Sequence, residues 1–199
     1  MTDDNTPKSC IAGIILAAGA ASRMGQPKLL LPWKGEALIR HAARTALNGG
    51  LYPVIVVTGA SGEAVKSALD GLDLKIVHNP NWPNGQSTSV RAGIKALPAQ
   101  ADAVIILLGD QPYLGEALLQ ALRNFYDQHH PQILAPSVSG QRSNPVLFDR
   151  SIFPYMLNLE GDVGARSLFG QFPPTLYPWD DGRILFDIDT PEDYHKLTT

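Results

Sequence analysis

Ile11-Ala12-Gly13-Ile14-Ile15-Leu16-Ala17 is an unbroken apolar run that passes straight into Ala18-Gly19-Ala20-Ala21-Ser22-Arg23-Met24-Gly25-Gln26-Pro27-Lys28. An apolar run without polar alternation suits a strand covered on both faces, as in a parallel sheet. Three similar runs follow at Val54–Val57, Leu74–Val77 and Val104–Leu108. Between and after them, residues 36–47, 62–69, 87–97 and 116–126 carry helical patterning. Strands alternating with helices predict an α/β fold: a single Rossmann-like, three-layer α/β/α domain with a mostly parallel sheet and right-handed crossovers.

The second half is less regular. Residues 132–135 and 145–148 predict strands joined by the polar turn Ser139-Gly140-Gln141-Arg142-Ser143, a β-hairpin excursion rather than a fifth crossover. Residues 151–159 and 163–169 read as short helices, and Leu176 and residues 184–188 as late strand. Pro191 opens a last helix with Thr190 as its N-cap. A chain of 199 residues fits one sizeable core, so the expected layout is a flexible tail over residues 1–9 and one domain over 10–199.

Composition narrows the function classes. A net charge of −3 gives no electrostatic footprint for nucleic acid, so a polyanion must be held by a local site. One cysteine, Cys10, excludes an intrachain disulfide and a multi-cysteine metal centre. The stretch Met1–Ser9 lacks the basic-then-apolar order of a signal peptide, and no apolar run nears the ~20 residues that span a bilayer. The expectation is a soluble cytoplasmic protein with neither nucleic acid nor membrane as partner.

The loop after the first run carries the chemistry. In open α/β sheets ligands sit beyond the carboxyl ends of the strands. Small residues there let backbone N–H groups approach an anion, and Arg23 and Lys28 add fixed positive charge. A triphosphate suits that combination. Five residues separate Gly19 from Gly25, and Gln26 follows, which is wrong for a P-loop. The single glycine at 19 and the proline at 27 are equally wrong for a dinucleotide fingerprint.

Residues 16–28, with their continuation Leu29-Leu30-Leu31-Pro32-Trp33, resemble the signature of the nucleotidyltransferase superfamily that includes molybdenum cofactor cytidylyltransferase and guanylyltransferase. The resemblance extends through His78-Asn79-Pro80, Gly85-Gln86-Ser87-Thr88-Ser89-Val90, Gly109-Asp110-Gln111-Pro112, Asn144-Pro145-Val146-Leu147 and Asp187-Ile188-Asp189-Thr190-Pro191. It implies that residues 10–199 form a nucleotidyltransferase domain. It also implies nucleotide contacts from Leu16, Ala17, Ala18, Gly19, Met24, Gly25, Gly59, Asn79, Gly85, Gln86 and Ser89. Ala17-Ala18-Gly19, rather than a Gly-Gly version, favours CTP over GTP by the same resemblance.

Asp110 ends a buried run on the same sheet edge as the glycine loop, where a carboxylate can hold Mg²⁺ (Mn²⁺ as substitute) against phosphate oxygens. Asp187 and Asp189 lie two apart on an extended segment and share a face. The resemblance places a second metal-proximal acid in that segment, with Asp189 the better match. The expected catalytic set is Arg23, Lys28 and Asp110.

For the second substrate, Gln111, Arg142, Asn144, Gly161, Asp162, Gly164 and Arg166 are the candidates. Two guanidinium groups suit a phosphate, and glycine backbone can approach one. The resemblance implies molybdopterin, or molybdenum cofactor, as acceptor, with a recipient molybdoenzyme or its chaperone as a further partner. Ser143-Asn144-Pro145 stands where related families often have Gly-His-Pro, so a sugar-phosphate or alcohol-phosphate acceptor stays open. A noncatalytic carrier of the cofactor is the reading from another class. Trp82 reads as loop packing, with a place in the cleft wall as the lesser option.

Overall fold

The computed structural model describes residues 8–19 and 24–198. Its central sheet has the strand order β10-β7-β9-β6-β1-β4-β5. Here β1 is Ile11–Ala17, β4 Val54–Thr58, β5 Lys75–His78, β6 Ala103–Leu108, β7 Ile133–Val138, β9 Val146–Asp149 and β10 Thr175–Pro178. The pairs β1–β4, β1–β6, β4–β5 and β7–β10 are parallel, and β9 runs antiparallel to both β6 and β7. A two-residue strand, β8 (Gln141–Arg142), turns back on β7.

The apolar runs sort cleanly by parity. Ile11, Ile15 and Ala17 of β1, Val54 and Val56 of β4, and Ala103, Ile105 and Leu107 of β6 face one core. That core is covered by α1 (Leu38–Asn48), α2 (Gly62–Ala68) and α4 (Glu116–His129). Ala12, Ile14, Ile55, Val57, Val104 and Ile106 face the other core, under α3 (Gln86–Lys95) and α5 (Phe153–Leu157). Period-two side chains with both faces apolar require helices on both sides, hence three layers. Each fully buried Ile or Leu contributes about 1.5–3 kcal/mol of transfer free energy.

Two expected elements differ. The first helix begins at Leu38, because Glu36–Ala37 (β3) pairs with Pro32–Trp33 (β2) in a small hairpin. Lys34 and Gly35, both at positive φ (50° and 86°), make its two-residue turn. The late strand expected over 184–188 is absent. Gly182–Leu185 is a 3₁₀ turn opened by the Asp181 carboxylate, and Phe186–Asp189 runs unladdered. Its Ile188 amide donates to the Asp110 carbonyl at 3.1 Å, which lays the segment across the carboxyl end of β6. The final helix, α6 (Pro191–Thr198), starts at a reciprocal cap: the Asp193 amide donates to Thr190 Oγ1, and Asp193 Oδ2 accepts from the Thr190 amide. Of the expected tail over residues 1–9, residues 1–7 lie outside the described residues. At its inner end, the Ser9 amide donates to Asp127.

Candidate active site

Strands β1, β4, β5 and β6 are mutually parallel, so their carboxyl ends open onto one edge of the sheet. A cleft of about 740 Å³ lies there. Leu16 to Gly19 form one wall. Trp82 to Gln86 and Ser89, from the loop between β5 and α3 and the first turn of α3, form another. Lys28, Gly109 and Asp110 close the third, with Asp162 contributed from the second half of the chain.

At the floor, Lys28 Nζ donates to Asp110 Oδ2 at 2.6 Å, to the Ile188 carbonyl at 2.9 Å and to Asp189 Oδ1 at 3.0 Å. Two distant segments therefore converge on one ammonium. Burial pulls the Lys28 ammonium down. The charge and hydrogen bond of Asp110, then those of Asp189, outweigh it and hold the lysine above its ordinary value. The other Asp110 oxygen, Oδ1, is buried with no partner among the described residues. An orphaned buried carboxylate oxygen is a strong acceptor left for a ligand. Among the described residues no group of three His, Cys, Asp or Glu gathers as a complete metal shell. Mg²⁺ needs few protein ligands when phosphates supply the rest, so Asp110 and Asp189 fit it.

Asp187 is turned elsewhere. Gln111 Nε2 donates to its Oδ1 at 2.7 Å. Burial, followed by the neighbouring charges of Asp110 and Asp189, raises the Asp187 carboxyl above the ordinary carboxylate value, against the Gln111 bond and Lys28. Gln111 itself is buried; its amide nitrogen props Asp187 and its Oε1 has no partner among the described residues.

Several other expected contacts sit one layer back from the cleft. Met24 is buried against Leu31, Leu38, Ile188 and Leu197, a third apolar cluster that anchors α6. Gly59 is a close-approach position: a Cβ there would lie 2.5 Å from the Ala18 carbonyl oxygen and 2.7 Å from the Trp82 ring. Asn79 is buried and bonded to Thr88, Ser89 and the Asn81 amide. Gly25 is exposed at φ +66°, and Arg23 lies outside the described residues.

The loop at 159–164 docks on the turn that leads into α3. Gly85 has φ +104°, and a Cβ on it would lie 2.5 Å from the Gly161 carbonyl oxygen, so only glycine fits. Asp162 Oδ1 accepts from the Gln86 amide at 3.1 Å, and Gly164 packs on the Gln86 side chain. Arg142 lies over the Phe169 ring, 4.5 Å from its centroid. Burial, then the like charge of Arg166, lowers the Arg142 guanidinium below its ordinary value. Asn144 leads through a cis peptide into Pro145 at the start of β9. Sequence reasoning missed Ser61 and Val65, which also line the cleft. Their only signal was position, just beyond the carboxyl end of β4.

A mostly parallel α/β sheet with a glycine-bearing loop, a lysine and a carboxylate at the carboxyl ends of its strands is the setting of a nucleotide-binding protein. The chain belongs to the MobA-like NTP transferase domain family, whose profile matches residues 13–175, and it is a nucleotidyltransferase of that family. Purine catabolism protein PucB of Bacillus subtilis is 36% identical to it, over 94% of this chain and 95% of that one. Nicotine blue oxidoreductase of Paenarthrobacter nicotinovorans is 32% identical over 99% and 100%. Molybdenum cofactor cytidylyltransferase of Escherichia coli is 28% identical over 94% of each. Among solved structures, Rv0371c of Mycobacterium tuberculosis H37Rv superposes with a TM-score of 0.86 at 26% identity, covering 96% of this chain and 98% of that one. Its manganese complex gives 0.79 at 27% identity, covering 95% and 98%.

Proposed function

We propose that the protein is a magnesium-dependent, cytoplasmic cytidylyltransferase that moves CMP from CTP to the terminal phosphate of molybdopterin and releases pyrophosphate. The observation that carries this is the convergence of Lys28, Asp110 and Asp189 at the floor of a cleft walled by Leu16 to Gly19. An acceptor phosphate oxygen attacks the α-phosphorus in line, forming one P–O bond. The bond to the β-phosphate oxygen breaks, and pyrophosphate leaves with the electron pair.

Catalysis of this kind is positioning plus charge neutralisation, and no covalent nucleophile is needed. The amides of Ala17 to Gly19 and the Lys28 ammonium, with Arg23 from the undescribed part of the loop, would bind the triphosphate. Ser89 and Gln86 would face the nucleoside. Asp110 and Asp189 would hold the divalent ion. That ion, when bound, neutralises phosphate charge as a Lewis acid. Arg142 and Arg166 would clamp the acceptor phosphate, with Asn144, Gly161, Asp162 and Gly164 around it. The manganese complex of a structural neighbour supports a divalent ion as cofactor, Mn²⁺ substituting for Mg²⁺. The cytidylyltransferase among the relatives, together with Ala17-Ala18-Gly19, supports CTP. A recipient molybdoenzyme or its chaperone would take the product.

A second acceptor stays open because Ser143-Asn144-Pro145 departs from Gly-His-Pro and two relatives are named purine catabolism protein PucB and nicotine blue oxidoreductase. Thermal shift with CTP, GTP, ATP and UTP in Mg²⁺ tests the nucleotide half, since saturating ligand stabilises in proportion to the logarithm of [L]/Kd. Pyrophosphate release across molybdopterin, sugar phosphates and alcohol phosphates tests the acceptor half. No shift with any nucleotide sinks the transferase reading. Tight molybdopterin binding without pyrophosphate release makes the protein a carrier instead.

A further inference from the structure

Asn79 and Ser89 are joined by a hydrogen bond whose direction can be read without seeing a proton. The Asn81 backbone amide donates to Asn79 Oδ1 at 3.0 Å. A backbone N–H is always a donor, so the Asn79 side chain has only one orientation: oxygen toward Asn81, amide nitrogen away. A flipped amide would set donor against donor. The two Nδ2 hydrogens then go to Thr88 Oγ1 at 2.8 Å and Ser89 Oγ at 3.0 Å.

The two hydroxyls differ in what they do next. Thr88 receives from Asn79 and lies 2.9 Å from the Gly85 carbonyl and 3.0 Å from that of Asn81, so its own hydrogen stays within the loop. Ser89 receives from Asn79, and among the described residues no protein acceptor takes its hydrogen. Ser89 is only 4% exposed, yet it lines the cleft beside Trp82, Gln86 and Leu16. A buried hydroxyl that accepts from Asn79 and whose hydrogen no protein group takes has that hydrogen left to donate to whatever fills the cleft.

We propose that Asn79 is a positioning residue that sets Ser89 as a hydrogen-bond donor to an acceptor atom of the nucleoside. This rests on the nucleotide-binding reading of the cleft and deepens it. A site built around a buried donor selects for ligands that present an acceptor there and penalises those that present a hydrogen. Asn79 reaches the ligand through Ser89, while its other bond, to Thr88, stays within the loop: one backbone amide, relayed across one side-chain amide, turns the Ser89 hydrogen away from Asn79.

The test is a double-mutant cycle read by equilibrium binding of Mg-CTP, with 2′-deoxy-CTP and 2-thio-CTP as second and third ligands. Asn79→Asp keeps the shape and the bond from Asn81 but replaces two donors by an acceptor. Ser89 then turns its hydrogen inward and its lone pairs toward the ligand. Asn79→Asp and Ser89→Ala are each expected to weaken CTP by about tenfold, the scale of one buried hydrogen bond. Asn79→Asp made in the Ser89→Ala background is expected to add nearly nothing, because the group it acts through is gone. Loss of the Ser89→Ala effect with 2-thio-CTP places the acceptor on the base, and its loss with 2′-deoxy-CTP places it on the ribose. Losses that simply multiply would make Asn79 a structural residue and overturn the proposal. Undiminished CTP binding by Ser89→Ala would overturn it too, and that measurement does not depend on whether Asn79→Asp folds. If the parent protein binds no nucleotide, the nucleotide-binding reading itself fails. Binding by the parent without coupling defeats this proposal alone.

Discussion

At the start of β6, Asp102 and Asp149 meet Tyr126 and Arg150; at its end, Asp110 and Asp189 meet Lys28, and Gln111 meets Asp187. Both clusters tie distant segments to the same strand, but they are finished differently. At the amino end the Tyr126 hydroxyl lies 2.5 Å from Asp149 Oδ2 and 3.1 Å from the Asp102 carbonyl. Asp149 Oδ1 accepts from the Ser151 amide, and Arg150 donates to the carbonyls of Ala99 and Ala101. At the carboxyl end Asp110 Oδ1 and Gln111 Oε1 are buried without a partner among the described residues. A fully paired polar network rigidifies a fold, whereas an unpaired buried acceptor costs free energy that a ligand can recover. The first cluster reads as a clamp and the second as a site.

The sharpest way to break that contrast is Lys28→Ala. Pyrophosphate release should fall by about a hundredfold or more, the scale of losing one preorganised charge at a transferring phosphoryl group. The same variant should bind Mn²⁺ more tightly than the parent in the absence of nucleotide, because the ammonium no longer competes for Asp110 and Asp189. Manganese EPR titration reads this directly, and weaker metal binding would place the ion elsewhere. Asp110→Asn should lose both activity and Mn²⁺ affinity.

At the clamp the expected order of effects is reversed. Tyr126→Phe should lower stability by about 1–2 kcal/mol in urea, the worth of a charge-assisted hydrogen bond, with turnover unchanged. A drop in turnover comparable to that of Lys28→Ala would erase the distinction between the two ends.

The Asp149 carboxyl adds a pH signature. Burial would raise it, but the bonds from Ser151 and Tyr126 hold it below its ordinary value of 3.8. A depressed carboxylate stabilises the fold fully above the unfolded value and loses that contribution as pH falls through the folded one. The stability gap between the parent and Asp149→Asn should therefore be level at neutral and mildly acidic pH and narrow only below about 3.8. Asp187 has the opposite sign. Its raised carboxyl carries a penalty when ionised, so metal-free Asp187→Asn should melt slightly higher than the parent at neutral pH, by less than about 1 kcal/mol. A clear loss of stability there would mean that the Gln111 bond outweighs burial.

Much of this was legible in the chain. Uninterrupted apolar runs are a direct consequence of strands covered on both faces, so β1, β4 and β6 could be read from Ile11–Ala17, Val54–Val57 and Val104–Leu108 alone. Lys28 and Asp110 carried their own signal, being a cation and a carboxylate that each follow a buried run. The hairpin at Pro32–Ala37 was hidden because Glu36 also fits a helix start, and the Lys34-Gly35 turn is a weak signal. Residues 184–188 are apolar enough for a strand, but they cross the end of β6 instead of running beside a sheet edge.

Sequence periodicity determined the layers and which strand ends carry chemistry, because burial on two faces leaves a local imprint on the chain. Which acid reaches Lys28 was decided only in three dimensions. Ile188 bonds to the Asp110 carbonyl, and that one contact across the strand end delivers Asp189 to the ammonium and leaves Asp187 to Gln111. The setting of Met24, Gly59 and Asn79 behind the cleft wall was decided there too, since depth behind a surface depends on segments that meet only after folding.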